Sequence, residues 1–375
     1  MKTVFLQTHV VRPRNIRQLR GIGEISDIAL VYVERTQSFG TVIPEDLRLK
    51  VHKITADIPE SGNMLKRLRV SLGLKKYYLN ALAEEDPDCI QVEGFDCLYF
   101  AWSYARKNKV ALVYQVSDVR EILLPQKTFF GRCRKAVFSS LEALFLKRVD
   151  ALVVTSDRFY EDRYKKYIPE DKVVLWHNFP DMSTFDGFRL IPHEGFRVGF
   201  VGSVRYQKQL RMLVDATESM ADTVAVFSGS GKRFEYDSLV EYSKDKTWVE
   251  LTGPYDYDSE IAGIYSKLDC IYAVYDASNE NVKIALPNKL YEAIICELPI
   301  VVAQGTFLAD LVSTWGVGLS VPYDSAEKLK DALVSLRDDA GLVAKIKNNC
   351  RIKREEILSE KPQEDYRRII DAVVR

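Results

Sequence analysis

The chain has 375 residues, of which 47% are hydrophobic and 28% are charged. At roughly 100–200 residues per domain, this length predicts two domains with apolar cores. Lysine plus arginine and aspartate plus glutamate number 53 each, and the resulting zero net charge argues against a nucleic-acid partner. No apolar run approaches the ~18 residues of a membrane-spanning helix, and the N-terminal run is too short for a signal peptide, so we expect a cytoplasmic protein. The six cysteines lack C-x-x-C spacing and are expected to be reduced core thiols.

Short β-branched and apolar runs recur along the chain, and helix-sized segments separate them. In the first half the predicted strands are Thr3–Gln7, Ile28–Val33, Lys50–Ile54, Cys89–Val92, Val110–Val116, Ala151–Thr155 and Val173–Trp176. In the second half they are Arg197–Val201, Thr223–Phe227, Val249–Leu251, Cys270–Val274, Ile300–Ala303 and Gly318–Val321. Strands that alternate with helices predict parallel sheets, and two such sets predict two doubly wound α/β domains of Rossmann-like type.

The segment 178–194 is the best place for the domain join. It is rich in proline, glycine, aspartate and serine and has no sustained period. We therefore predict a first domain over residues 1–180 and a second over 195–359. After Pro362 the pattern restarts as an amphipathic helix within the tail 360–375.

The strongest chemical motif follows the first strand of the second half, at Gly202. Glycine allows a tight turn and the close approach of a ligand. Arg205 and Lys208 come next, before the predicted helix Gln209–Glu218, whose N-terminus favours an anion through its free N–H groups and dipole. The combination suits a diphosphate. By itself, the motif fits a tight turn with two solvated cations equally well.

Two further polar segments follow in the same half. The loop Ser228–Gly231 comes after the next predicted strand, at what would be the same sheet edge. Pro287 is predicted to start a helix that places Asn288 and Lys289 in its first turn as donors. Glu292 lies deeper in that helix and could accept hydrogen bonds from a diol such as a ribose. A surface carboxylate is the alternative for Glu292, but three such segments together favour a nucleotide site.

These residues resemble the nucleotide-sugar domain of retaining glycosyltransferases of the GT-B fold, in the group that builds bacterial capsules, exopolysaccharides and O-antigens. The resemblance rests on G-x-x-R-x-x-K at Gly202–Lys208, SGSG at Ser228–Gly231, LTGPY at Leu251–Tyr255 and PNKLYEA at Pro287–Ala293. The segments VVRPRNIRQLRGIG, VYQVSDVREILL, KRVDALVVTS and VVLWHNFPD match more loosely. The resemblance implies two Rossmann-like domains facing across a cleft, an acceptor domain first and a donor domain second. The C-terminal helix 360–375 would return to the first domain.

The resemblance also implies a nucleotide-sugar donor, with UDP the most frequent nucleotide, and no metal cofactor, because protein cations and N–H groups stabilise the leaving diphosphate. The implied catalytic residues are Arg205, Lys208 and Asp118. The implied donor-binding residues are Gly202, Ser203, Gly229, Pro254, Tyr255, Pro287, Asn288, Lys289, Leu290 and Glu292. His9 and Arg14 are the implied acceptor residues, with a structural role as the alternative for His9. For Asp118, a helix N-cap is the alternative.

The sequence departs from the commoner pattern of this family at several positions. Ile284 stands where many members carry the first glutamate of an E-x7-E pair, which leaves the donor sugar open. Ser203 replaces a cation, for which Arg205 is the expected substitute, and Ser117 precedes Asp118 where a His-Asp pair is frequent. No carboxylate stands out as a nucleophile, so the resemblance favours a front-face mechanism. In the D-x-D of residues 256–258, Asp258 is expected to cap a helix, in preference to a metal site.

Two segments, 64–79 and 127–148, mix cations with apolar residues at helical spacing. They predict peripheral contact with the inner face of the cell membrane, with helices packed on the sheet as the alternative. We therefore predict a retaining hexosyltransferase that modifies a lipid-linked oligosaccharide in surface polysaccharide biosynthesis. The alternatives are a nucleotide-sugar epimerase of the same fold and a non-catalytic sugar- or nucleotide-binding partner subunit.

Overall fold

The structure is a computed structural model that describes residues 1–9, 11–34, 43–56, 64–119 and 129–373, without the side chains at 64–69, 71, 130 and 134. The chain forms two compact units. Unit 1 consists of Met1–His177 together with Lys361–Arg375, and unit 2 consists of Asn178–Glu360. No helix in the described ranges is long and apolar enough to cross a membrane.

Unit 1 is built on a seven-stranded sheet in the order β3-β2-β1-β4-β5-β6-β7, in which every pair of neighbours is parallel. Its strands are β1 (Lys2–Gln7), β2 (Asp27–Glu34), β3 (Lys50–Thr55), β4 (Cys89–Glu93), β5 (Ala111–Val116), β6 (Ala151–Val154) and β7 (Val173–Leu175). Its first helices are α1 (Pro13–Gly23), α2 (Met64–Glu85), α3 (Phe95–Asn108) and α4 (Phe129–Leu146). Helices on both faces bury β4 and β5 completely, which explains their mostly apolar sequences. The buried Gln91 and Gln115 are hydrogen-bonded to each other at 2.6 Å.

Unit 2 holds a six-stranded parallel sheet in the order β10-β9-β8-β11-β12-β13. Its strands are β8 (Phe196–Val201), β9 (Thr223–Ser228), β10 (Val249–Gly253), β11 (Cys270–Ala273), β12 (Ile300–Ala303) and β13 (Gly318–Val321). Its helices are α5 (Gln207–Thr217), α6 (Arg233–Ser243), α7 (Tyr257–Tyr265), α8 (Glu280–Ile284), α9 (Asn288–Cys296), α10 (Phe307–Trp315), α11 (Ala326–Asp338) and α12 (Ala340–Ser359). Short helical turns lie at Asp157–Phe159, Tyr160–Tyr164, Glu170–Lys172 and Met182–Phe185.

The C-terminal helix α13 (Pro362–Asp371) packs on unit 1. Pro362 occupies its first turn, where the missing N–H costs nothing. The Tyr366 ring is fully buried, with its centroid 6.2 Å from that of Trp176, and its hydroxyl lies 3.6 Å from the Cys89 Sγ. The tail is therefore part of the core of unit 1.

The predicted fold class is confirmed, and the ends of the strands differ from the predicted ends by at most two residues. Five of the six cysteines are buried and Cys133 is exposed. In each sheet the chain reverses its direction of winding once, between β1 and β4 in unit 1 and between β8 and β11 in unit 2. Ligands of open α/β sheets bind in the crevice at such a switch point, beyond the carboxyl ends of the strands. Both switch points carry polar residues.

Candidate active site

The switch point of unit 2 begins at Gly202, which directly follows β8. Its φ of +133° lies in the region that favours glycine. A Cβ at this position would come 2.8 Å from the Nζ of Lys289. The lysine side chain therefore lies against the bare backbone of the first loop, which only glycine permits.

Three loops at this edge of the sheet are joined by backbone hydrogen bonds. The N–H of Gly202 donates to the Ser228 carbonyl at 2.7 Å, and the N–H of Gly229 donates to the Gly253 carbonyl, also at 2.7 Å. Gly229 has a φ of +138°, and a Cβ there would lie 2.0 Å from the carbonyl oxygen of Gly202. The loops after β8, β9 and β10 therefore form one continuous backbone layer.

Lys289 projects toward this layer from the first turn of α9. Pro287 is the N-cap of that helix, with an extended backbone (φ −77°, ψ 154°), so the helix begins at Asn288 rather than at the proline. The Lys289 Nζ lies 5.1 Å from the centroid of the Phe200 ring and 5.9 Å from that of Tyr275. No described carboxylate forms an ion pair with it. The ammonium group is thus a half-buried cation between two aromatic faces, and such faces attract a cation without neutralising it.

The other predicted cations are more exposed. Arg205 donates from Nε to the Oγ of Ser203 at 3.0 Å. Lys208 lies in the first turn of α5, which begins two residues earlier than predicted, and its Nζ is 6.0 Å from the centroid of the Tyr323 ring. Both side chains are solvated and long enough to reorient toward a ligand. Asn288 is half-buried, whereas Leu290 is fully buried and contributes to the core instead of presenting its side chain to a ligand.

Glu292, on the next turn of α9, lies inside unit 2 with only 4% of its surface exposed. Its Oε1 accepts a hydrogen bond from the Tyr257 hydroxyl at 2.8 Å, and its Oε2 accepts one from the Tyr265 hydroxyl at 2.6 Å. The alternative of a surface carboxylate is therefore wrong. Burial, followed by the negative charge of Glu292, raises the pKa of Tyr255, whose ring is half-buried beside the exposed Pro254.

The D-x-D of residues 256–258 belongs to the start of α7. Asp256 is the N-cap residue, and its Oδ1 accepts from the Ser259 N–H at 3.0 Å and from the Ser259 Oγ at 2.6 Å. The expected capping role is thus met by Asp256 instead of Asp258, because its side chain can reach the free N–H at the third helical position.

At the switch point of unit 1, polar groups gather around Glu93, the last residue of β4. Its carboxylate accepts hydrogen bonds from Arg14 Nη2 at 2.6 Å, Asn15 Nδ2 at 2.8 Å and Ser117 Oγ at 2.8 Å. His9 Nε2 lies 3.6 Å from the Oε1 of Glu93. This cluster joins the two predicted acceptor residues, His9 and Arg14, through a carboxylate that sequence reasoning missed. The only sign of this carboxylate in the sequence was an acidic residue at the end of an otherwise apolar strand.

The charges of this cluster follow from burial and pairing. Burial alone would raise the pKa of Glu93, but the adjacent charge of Arg14 and the hydrogen bonds outweigh it and hold that pKa well below the usual range. Burial lowers the pKa of His9, so its imidazole is neutral at neutral pH and Arg14 is the cation that stabilises the carboxylate. Asp118, the third predicted catalytic residue, lies two residues beyond β5 with an exposed side chain.

Among the described residues, one group of histidine and glutamate side chains is close enough together to be considered as a metal site. It consists of His52, Glu84 and Glu85, whose ligand atoms lie within 4.8 Å of one another. Lys2 Nζ lies 2.6 Å from Glu85, and Lys50 Nζ contacts both glutamates at 2.7–2.9 Å. These two ammonium groups already neutralise the carboxylates and repel a metal ion, so we regard the group as a structural ion-pair network.

Comparison with known proteins gives a consistent result. The family described as glycosyl transferases group 1 matches residues 195–339, which lie within unit 2. No curated protein matches the sequence. Sucrose-phosphate synthase from Thermosynechococcus elongatus is similar in structure, with a TM-score of 0.76 and 14% identity over 99% of this chain and 100% of that one.

Two further proteins of known structure are similar over equally long stretches. HepE from Anabaena, in complex with UDP and glucose, has a TM-score of 0.72 and 15% identity over 100% of this chain and 99% of that one. WaaG, a glycosyltransferase involved in lipopolysaccharide biosynthesis, has a TM-score of 0.68 and 15% identity over 99% of both chains. A Listeria monocytogenes protein assigned as a UDP-N-acetylglucosamine 2-epimerase is less similar, with a TM-score of 0.61 and 14% identity over 96% of this chain and 98% of that one.

The family match falls on the unit that carries Lys289 and Glu292, while the similarity in fold extends along the whole chain. We conclude that residues 195–339 match the family of group 1 glycosyl transferases and that the whole chain has the two-domain α/β fold of these solved structures.

Proposed function

We propose that the protein transfers a hexose-type sugar, with retention of anomeric configuration, from a nucleoside-diphosphate sugar to a hydroxyl of a lipid-linked oligosaccharide. The observation that carries this proposal is the Lys289 ammonium group, half-buried against Gly202 at the switch point of unit 2. A cation held there without a described carboxylate partner is suited to a phosphate. We take UDP as the nucleotide, which the UDP complex of HepE supports.

The diphosphate would be neutralised mainly by side chains. The N–H groups of Gly202 and Gly229 already donate to neighbouring loops and are not available to it. Lys289 would bind it directly, and the solvated Arg205 and Lys208 would move onto it. The first N–H groups of α9 have no partner within the helix and favour an anion. No metal ion is needed to balance the charge in this arrangement.

Glu292 would bind the ribose. Each carboxylate oxygen can accept two hydrogen bonds, and one position on each is filled by a tyrosine hydroxyl. The remaining positions can accept the two ribose hydroxyls. The half-buried Tyr255 and the exposed Pro254 lie in the loop that we assign to the nucleobase.

The reaction would proceed on one face of the donor sugar. The bond between the anomeric carbon and the β-phosphate oxygen breaks, and its electron pair stays on the departing diphosphate. Lys289, Arg205 and Lys208 stabilise this growing negative charge, so they act mainly in the transition state. The acceptor oxygen bonds to the anomeric carbon from the same face, and its proton passes to the leaving phosphate. Asp118 remains our candidate for contacting the reacting hydroxyls.

For membrane contact, α4 offers an apolar surface with basic neighbours. Its exposed apolar residues are Phe129, Val137, Leu141 and Leu144. Its single acidic residue, Glu142, is buried and accepts from the Tyr114 hydroxyl at 2.8 Å, so the exposed charges along α4 and just after it are basic. This surface fits an anionic lipid membrane. Residues 127–128 of the predicted contact and the side chains at 64–69 lie outside the described residues.

The membrane proposal can be tested by co-sedimentation with vesicles. Wild-type protein should bind vesicles of phosphatidylglycerol more tightly than vesicles of phosphatidylcholine, and Leu141→Glu should weaken this binding. Ile352→Glu, at an exposed position on α12, is the matched control and should bind like wild type. Equal binding of both lipids, or no effect of Leu141→Glu, would refute the membrane contact.

The epimerase alternative requires acid–base groups around the donor sugar. His193 is the one histidine of unit 2, and it lies 3.6 Å from Asp269, which precedes β11. It is therefore at the opposite edge of the sheet from Lys289. This position favours transfer over epimerisation.

The first experiment is calorimetric titration with UDP, GDP, ADP and CMP, with Mg²⁺ and with a chelator. We expect UDP to bind equally well in both conditions. Glu292→Ala should weaken this binding, and Lys208→Ala should mainly lower turnover of UDP-sugars. Lys345→Ala, an exposed lysine on α12, is the control and should change neither.

If no nucleotide binds, the donor site is wrong and the partner-subunit alternative gains support. If sugar is transferred, the anomeric proton coupling in the product reports retention.

A further inference from the structure

Two tyrosines hold the carboxylate of Glu292 from one helix. Tyr257 is the first residue of α7 and Tyr265 is its last, and their hydroxyls donate to different oxygens of the same carboxylate, at 2.8 and 2.6 Å. Residues eight apart on an α-helix are about 80° apart around its axis. Both hydroxyls nevertheless reach the one carboxylate, so a single helix presents both donors.

Helix α7, which carries these two donors, is held in place at both ends. The N-cap Asp256 anchors the start of α7, next to Tyr257. At the other end, Tyr265 is completely buried, and its ring centroid lies 6.4 Å from that of Phe185. Burial is the main reason that the pKa of both tyrosines is raised far above the ordinary value, so both hydroxyls keep their protons and remain donors.

This arrangement does more than pack α7 against α9. A carboxylate that is 4% exposed, with one hydrogen bond to each oxygen, cannot turn about its terminal bond without breaking both. Its unfilled acceptor positions therefore point in a fixed direction. A buried acceptor fixed in this way strongly disfavours a ligand that lacks the matching hydroxyl, because the acceptor is then left unpaired.

We propose that Tyr257 and Tyr265 are positioning residues that orient Glu292 to recognise the ribose hydroxyls of the donor nucleotide. The inference rests on the proposed function, because it assumes that a nucleoside diphosphate binds in unit 2. It assigns the preference for ribonucleotides to three side chains, of which only Glu292 would touch the ligand.

The test compares the binding of UDP and 2′-deoxy-UDP by calorimetry. Wild type should prefer UDP by about tenfold or more, the scale of one hydrogen bond to a charged group. Tyr265→Phe and Tyr257→Phe should each lower this preference several-fold. The affinity for UDP should fall most, because 2′-deoxy-UDP lacks one of the hydroxyls that Glu292 would bind. Tyr272→Phe is the matched control: its buried hydroxyl donates to the Gln209 carbonyl at 2.7 Å, away from Glu292, and its removal should leave the preference unchanged.

The outcomes separate this inference from the proposed function. Binding of UDP by wild type with a preference that neither phenylalanine variant alters would overturn the positioning role alone. An equal fall in the affinity for UDP and for 2′-deoxy-UDP, which a purely structural role predicts, would overturn it as well. Failure of wild type to bind UDP would overturn the donor site and the inference with it. If Tyr265→Phe does not fold, the half-buried Tyr257 still gives a decisive variant.

Discussion

The guanidinium of Arg14 donates to the carboxylate of Glu93 at 2.6 Å, where β1 and β4 separate at the switch point of unit 1. Arg14 lies in the first turn of α1, and its side chain is 10% exposed against 3% for Glu93. Such a buried pair needs both partners, because loss of one leaves an uncompensated charge. The bond therefore fixes the position of the proposed acceptor residues.

Replacing Glu93 with glutamine keeps its shape and removes its charge. We expect Glu93→Gln to lower the free energy of unfolding by about 2 kcal/mol, because the Arg14 charge loses its partner. Sugar transfer should fall about tenfold through a higher KM for the acceptor, while the affinity for UDP stays unchanged. Denaturant unfolding and initial-rate kinetics measure both effects. Glu24→Gln, at the exposed end of α1, is the control, and an equal effect there would contradict the prediction.

Lys289 gives a sharper prediction for the proposed donor site. Lys289→Met retains most of the apolar stem and removes the charge, so we expect UDP affinity to fall about 10- to 100-fold, the value of a hydrogen bond between charged groups. Uridine, which lacks phosphates, should bind as it does to wild type. Equal losses for UDP and uridine would mean that Lys289 supports the loop instead of the phosphate.

The loop glycine Gly229 should tolerate no side chain. An alanine Cβ would meet the Gly202 carbonyl oxygen at 2.0 Å with φ at +138°, so Gly229→Ala must displace the loop after β8. We expect lower thermal stability and no detectable UDP binding. Gly263→Ala, inside α7 with open space around its Cβ, should instead stabilise the protein by about 1 kcal/mol. Differential scanning calorimetry distinguishes the two changes, and a normal UDP affinity of Gly229→Ala would contradict the prediction.

Glu85 gives unit 1 a predictable response to acid. Burial would raise its pKa, but hydrogen bonds from Lys2, Lys50 and His52 lower that pKa to about 2. Because the pKa is lower in the folded state, the stabilisation is complete above the unfolded value of about 4.3 and is lost as the pH falls toward 2. Each pKa unit equals about 1.4 kcal/mol, and the half-exposed Lys50 is partly screened by water, so we expect a loss of about 2 kcal/mol.

The measurement is urea unfolding of wild type and Glu85→Gln between pH 7 and pH 2. The difference in unfolding free energy between them should stay constant down to about pH 5 and shrink below it. Glu84→Gln is the control, because that carboxylate is exposed and, within the described part of the chain, hydrogen-bonds only to Lys50. A difference that does not change with pH would show that Glu85 acts through packing.

The sequence predicted the strands well because buried parallel strands are mostly apolar runs with polar residues on either side. It also predicted that Gly202 and Lys289 lie at the ends of strands and helices, where local patterns are strong. Pro287 was misplaced by one position, since a proline suits both the N-cap and the first turn.

Partners that lie far apart in sequence were not predictable in this way. Glu93 is 79 residues from Arg14, and Glu292 is 27 residues from Tyr265. Neither pair repeats with a helical or strand period, so each is brought together only by the order of strands and the packing of helices. An acidic residue at the end of an otherwise apolar strand was the one sign in the sequence of the cluster around Glu93.

The hydrogen bonds that Gly202 and Gly229 donate between the loops after β8, β9 and β10 use main-chain atoms only. These main-chain bonds of the proposed donor site therefore do not depend on which side chains the loops carry, apart from the glycines. Positions 203, 230 and 254 can be randomised together in a library without removing these main-chain hydrogen bonds. Such a library is a direct route to enzymes with altered nucleobase or sugar preference.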